Sequence, residues 1–167
     1  MLRVTLVLAA ALVLVANTAA AQTAAPGDPG QRTFVNDYMA AVGAKDVAAL
    51  RRLIHPASLA CMNDSNRDFY DVLFANAVKE GPRSSYRITR IGPTTGLAEK
   101  LVPAGMIRYP VTPTHEVRID FETGPNRSKT LIRQIAMADG SWLEVMPCPT
   151  PEGLEAFRRR QAGAQSR

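Results

Sequence analysis

The sequence predicts an α+β fold, with N-terminal helices packed on one face of a curved antiparallel sheet. Three observations predict it. Apolar residues recur at helical spacing through residues 31–80, while "HEVRIDFE" (115–122) alternates apolar and polar in strict period two. "DG" at 139–140 then marks a two-residue hairpin turn. Helices come first and strands follow, in a chain of 167 residues that suits one domain.

The chain opens "MLRVTLVLAAALVLVANTAAA". Arg3 gives a positive start, residues 4–16 are apolar, and Ala19 and Ala21 are small. This is the pattern of a secretory signal peptide over residues 1–21, cleaved after Ala21. The apolar run is too short to span a bilayer comfortably. The expectation is therefore export, to a periplasm or outside the cell, with no stable membrane anchor after cleavage. Residues 22–30, which include "TAAPGDPG", read as a disordered lead-in.

A first helix is expected from residue 31, with Phe34, Val35, Tyr38, Met39 and Val42 on one face. Asp46 is placed to cap a second helix over "VAALRRLIH", which Pro56 ends. "ASLACM" (57–62), short and unbroken, reads as a small strand. Asn63, Asp64 and Ser65 form a cluster of caps before a helix over 66–81. "SSYRITRIGPT" (84–94) follows as a strand, and "GLAEKLVPAG" (96–105) as a loop with one helical turn. In "HEVRIDFE", His115, Val117, Ile119 and Phe121 share a face. "KTLIRQIAMA" (129–138) is apolar on both parities, so both its faces are expected to be covered. That points to a possible homodimer. Arg133 is expected to face outward, on the parity opposite Gln134. "SWLEVMP" completes the hairpin, and residues 151–167 form a short basic helix and tail.

Cys61 and Cys148 are the two cysteines of the chain. Export favours their pairing as a disulfide. There is no C-x-x-C or H-x-x-x-H spacing, phosphate-binding glycine loop or nucleophile elbow. No metal or cofactor is expected. The formal net charge is +5, partly concentrated in "FRRRQAGAQSR". Adjacent arginines on a helix point in different directions, which favours a solvated helix end over nucleic-acid binding.

"FVNDYMAAVGAKDVAALRRLIHP", "NRDFYDVL" and "MADGSWLEV" together resemble the nuclear transport factor 2-like superfamily, the cone-shaped fold shared with ketosteroid isomerases. The likeness spans most of residues 31–147, within a domain expected over 31–150, and implies an apolar pocket between helices and sheet. It places Tyr38 on the family's oxyanion tyrosine and Tyr70 on a supporting tyrosine. Met62 falls at the general-base position, and Gln134 at or near the protonated aspartic acid. Methionine cannot abstract a proton, so steroid isomerase chemistry is disfavoured.

The ligand contacts implied are Tyr38, Met62, Tyr70, Gln134 and Trp142. A small apolar ligand bound without catalysis is the leading expectation. One alternative is an isomerase or dehydratase using Tyr38 with His55 or Asp64. Another is a dimerising module whose cone is filled by its own core. His55 is equally suited to helix capping, as is Asp64.

Overall fold

The structure is a computed structural model that describes residues 26–80, 85–94, 99–102, 105–124 and 127–165. The signal-peptide expectation, on residues 1–21, lies outside these. The fold is α+β. Helices α1 (Pro29–Ala44), α2 (Val47–Arg52), α3 (Pro56–Cys61) and α4 (Arg67–Glu80) come first. Strands β1 (Tyr86–Pro93), β2 (Glu99–Val102), β3 (Gly105–Arg108), β4 (His115–Gly124), β5 (Arg127–Ala138), β6 (Ser141–Glu144) and β7 (Cys148–Pro149) follow. Helix α5 (Pro151–Gln165) closes the described chain.

Helix α1 starts inside the stretch read as lead-in. Asp28 is its N-cap, accepting from the Gln31 amide while the Gln31 side chain accepts from the Asp28 amide. This capping box, with Pro29 at the first turn, satisfies donors that would otherwise be orphaned. Asp46 caps α2 as expected, accepting from the Ala49 amide at 2.8 Å.

"ASLACM" is a helix, not a strand. Pro56 both stops α2 and opens α3, because a missing amide costs nothing at a helix start. The second helix accordingly ends at Arg52 rather than His55. Asn63, not Asp64, caps the single 3₁₀ turn Asp64–Asn66 that leads into α4. Along α4 the buried residues are Phe69, Tyr70 and Phe74, whereas Asn76 is exposed.

The main sheet is antiparallel in the order β1-β4-β5-β6. A bulge between Ile88 and Arg90 shifts the β1 register, so Ile88 faces Ile119 and Ile91 still faces Val117. Val117, Ile119 and Phe121 are buried, as their alternation predicts. Asp139 (φ 49°) and Gly140 (φ 77°) turn β5 into β6, the twin positive angles a two-residue hairpin needs.

The stretch read as a loop with a helical turn instead supplies β2 and the start of β3. These two join β7 in a second, three-stranded sheet. The core gathers Phe34, Val35 and Val42 of α1, Leu50 of α2, Phe69 and Phe74 of α4, and Val117, Ile119 and Ile135 of the sheet. Burying each such side chain contributes roughly 1.5–3 kcal/mol. Phe157 of α5 joins the same cluster, meeting Phe69 edge-on at 5.3 Å.

The Cys61–Cys148 disulfide is present, with Cα atoms 5.8 Å apart. It ties the end of α3 to β7.

Candidate functional site

A cavity of about 170 Å³ lies between the helices and the β5–β6 end of the sheet. Leu50 of α2, Leu73, Phe74 and Ala77 of α4, and Met146 and Pro147 after β6 form its apolar walls. Tyr38 of α1, Arg133 of β5 and Glu144 of β6 form its polar part. The volume is close to the roughly 150 Å³ that admits benzene. It falls below the roughly 300 Å³ where drug-sized pockets begin.

Arg133 reaches the cavity because of register. It pairs with Val117, a residue of the buried face, while Gln134 pairs with Glu116 on the other face. The expectation that Arg133 faces outward is thus reversed. Its Nε donates to the Tyr38 hydroxyl at 2.8 Å and lies 3.2 Å from Glu144 Oε1. Its Nη1 donates to the Ile132 carbonyl at 2.9 Å. The guanidinium also sits 5.0 Å from the Tyr38 ring centroid, within cation–π range.

Glu144 is fixed through its backbone. Its amide donates to the Leu53 carbonyl and its carbonyl accepts from the His55 amide, both at 2.8 Å. These bonds clasp Ile54, the middle residue of the link between α2 and α3, against β6.

The three polar groups perturb one another. Burial raises the Glu144 carboxyl above the usual range, with Arg133 opposing. Burial also works against the charge of Arg133, but Glu144, then Tyr38, hold its guanidinium above the ordinary value. Burial, reinforced by Glu144 and opposed by Arg133, pushes the Tyr38 phenol up to about 12. Tyr109 shares this field: burial, then Glu144, raises it. At neutral pH both phenols are hydrogen-bonding groups rather than anions.

Of the five residues expected at the pocket, Tyr38 alone lines this cavity. Tyr70 is buried behind it, its hydroxyl donating to the Pro147 carbonyl at 3.0 Å, and burial pushes its phenol up to about 12. Met62 caps the end of α3 and packs at the margin of the core. Trp142 meets His115 edge-on at 4.8 Å and closes on Gly30, where an added Cβ would lie 3.1 Å from the indole. Gln134 donates to Glu116 Oε2 at 3.2 Å. Its Oε1 is buried without a partner among the described residues.

Neither proposed catalytic partner of Tyr38 lines the cavity. His55 caps α3, its Nδ1 accepting from the Ala57 amide at 3.1 Å. Asp64 is exposed and pairs with Arg67. Arg133, Glu144 and Tyr109 are what sequence reasoning missed. The only signal lay in "SWLEV", where Glu144 shares parity with Trp142.

Among the described residues, no cluster of three His, Cys, Asp or Glu is placed to hold a metal ion. No described helix is long and apolar enough to cross a membrane. Comparisons with family models, with curated proteins and with solved structures find no match to this chain.

Proposed function

We propose that the protein is an exported binder of a small, largely apolar ligand that carries one polar group. The observation that carries this reading is the cavity itself, with apolar walls and a polar part made of Tyr38, Arg133 and Glu144. Cavities of that make-up hold the body of a ligand by burial and orient it by a few fixed polar groups. The resemblance to nuclear transport factor 2-like proteins supports it, since that fold is built around such a pocket. The disulfide supports export.

The test is toluene titrated into the processed, oxidised protein while the signals of Leu50, Leu73, Ala77 and Met146 are followed by NMR. Those signals should shift together and saturably. Ala77→Phe, which fills the cavity without touching its polar residues, should abolish the shifts. Shifts that persist in Ala77→Phe, or none in the wild type with either toluene or a polar-headed probe of the same size such as benzamide, would defeat the reading. Intact mass of protein recovered from its host should show a start at Gln22.

A further inference from the structure

The Arg133–Glu144 pair does not use up its own hydrogen-bonding capacity. Nε of Arg133 is engaged by Tyr38 and faces Glu144 Oε1, and Nη1 is engaged by the Ile132 carbonyl. Among the described residues, no protein acceptor meets Nη2 and no donor meets Glu144 Oε2. Among the described residues, Gln134 Oε1 is the buried side-chain atom left without a partner, and neither Arg133 Nη2 nor Glu144 Oε2 is a second. Both side chains keep a little exposure, 20% for Arg133 and 12% for Glu144. The cavity therefore presents an unused donor and an unused acceptor on two touching side chains.

We infer that the cavity selects a compact neutral primary amide. The ligand carbonyl accepts from Arg133 Nη2, its N–H donates to Glu144 Oε2, and its one-ring or short alkyl body lies against Leu73 and Phe74. This inference rests on the small-ligand reading and gives that site its ligand class.

Charge decides against the alternatives. A carboxylate would meet Arg133 but would also place an anion beside Glu144 in a partly desolvated site, where like charges repel strongly. An ammonium would suffer the same against Arg133. A hydrocarbon would bury both polar atoms without partners, and an unpartnered buried group costs far more than a satisfied one gains. A planar primary amide carries a carbonyl acceptor and a syn N–H donor side by side and adds no charge. Tyr38 supports this arrangement, since its hydroxyl accepts from Arg133 Nε and so helps to fix the guanidinium.

The experiment uses three probes of nearly one size, benzamide, benzoate and toluene, on the oxidised, processed wild-type protein at neutral pH. Affinities are read from the same cavity signals. Benzamide should bind at least about tenfold more tightly than either of the others, the margin one good hydrogen bond supplies. In Glu144→Gln the acceptor survives but the charge is gone, so benzoate should gain on benzamide until the two are near parity. Arg133→Lys keeps the charge and removes the planar fork, and should lower the benzamide affinity toward that of toluene. If either variant fails to fold, the wild-type ranking alone decides.

Toluene binding as tightly as benzamide, or benzoate binding more tightly, overturns the amide inference and leaves the cavity reading standing. Silence of all three probes at the cavity overturns both.

Discussion

At Glu144, burial works against an ion pair that lies only 3.2 Å away. The carboxyl is raised above its ordinary 4.5 despite Arg133, so desolvation outweighs the attraction. Linkage gives the consequence a sign. A carboxyl whose folded pKa is raised contributes stability that is fully present below the unfolded value and is lost as pH rises through the folded value. Glu116 and Asp68 are lowered, Glu116 chiefly by a hydrogen bond from Arg118, Asp68 by one from Arg158. They contribute in the opposite sense, losing stability as pH falls. The comparison must therefore be with Glu144→Gln, which keeps those two groups. Stability of the wild type relative to Glu144→Gln should be more favourable at about pH 4 than at about pH 8, measured by urea unfolding. The reverse trend would mean that attraction to Arg133 dominates. None of this was readable in the sequence. Arginine and glutamate are ordinarily exposed, and which face of β5 is buried depends on its register with β4, a non-local pairing.

Local chemistry made the elements more legible. The Asp46 cap, the apolar face of α1, the alternation in β4 and the Asp139–Gly140 turn all lie within a few residues of what they specify. "ASLACM" failed because a short apolar run carries no period that separates strand from helix. The informative residues were the flanking His55 and Pro56, an N-cap acceptor and a first-turn proline. Helix α5 shows the converse. Its arginines read as a solvated end and are exposed, and Arg158 in addition reaches back to α4. It bonds both Asp68 oxygens, at 2.9 and 3.0 Å, and the Ser65 carbonyl of the preceding 3₁₀ turn at 2.6 Å. The pair is exposed and so screened by salt. Asp68→Asn should raise amide hydrogen exchange across residues 151–165 while leaving α1 unchanged. Since the Asp68 pKa is lowered from 3.8, the wild type should lose the same protection as pH falls through and below that value. High salt should narrow the gap between the two proteins, and equal exchange in both would show that the apolar packing of Leu154 and Phe157 holds the helix without the ion pair.

Across the whole molecule, the disulfide closes a loop between residues 87 apart in sequence, bracketing α4 and most of the sheet. On the chain-entropy account a loop of that size is worth about 4–5 kcal/mol, acting mainly by restricting the unfolded chain. Cys148 also follows Met146 and Pro147, two residues of the cavity wall, a position from which the bond could shape the site. Two other contacts argue otherwise. Ser58, fully buried, donates to the Met146 carbonyl at 2.9 Å, and Tyr70 donates to the Pro147 carbonyl at 3.0 Å. Each anchors the wall to a helix independently of sulfur. Cys61→Ser with Cys148→Ser should therefore lower stability by about 2–4 kcal/mol and Tm by roughly 10 °C. At 25 °C the NMR signals of Phe74, Ala77 and Met146, and the affinity for toluene, should stay as in the oxidised protein. If those signals collapse while the helices persist, the disulfide is holding the native wall in place rather than constraining the unfolded chain. A Ser58→Ala variant of the oxidised protein separates the two cases, since it removes one anchor of Met146 and leaves the loop closed.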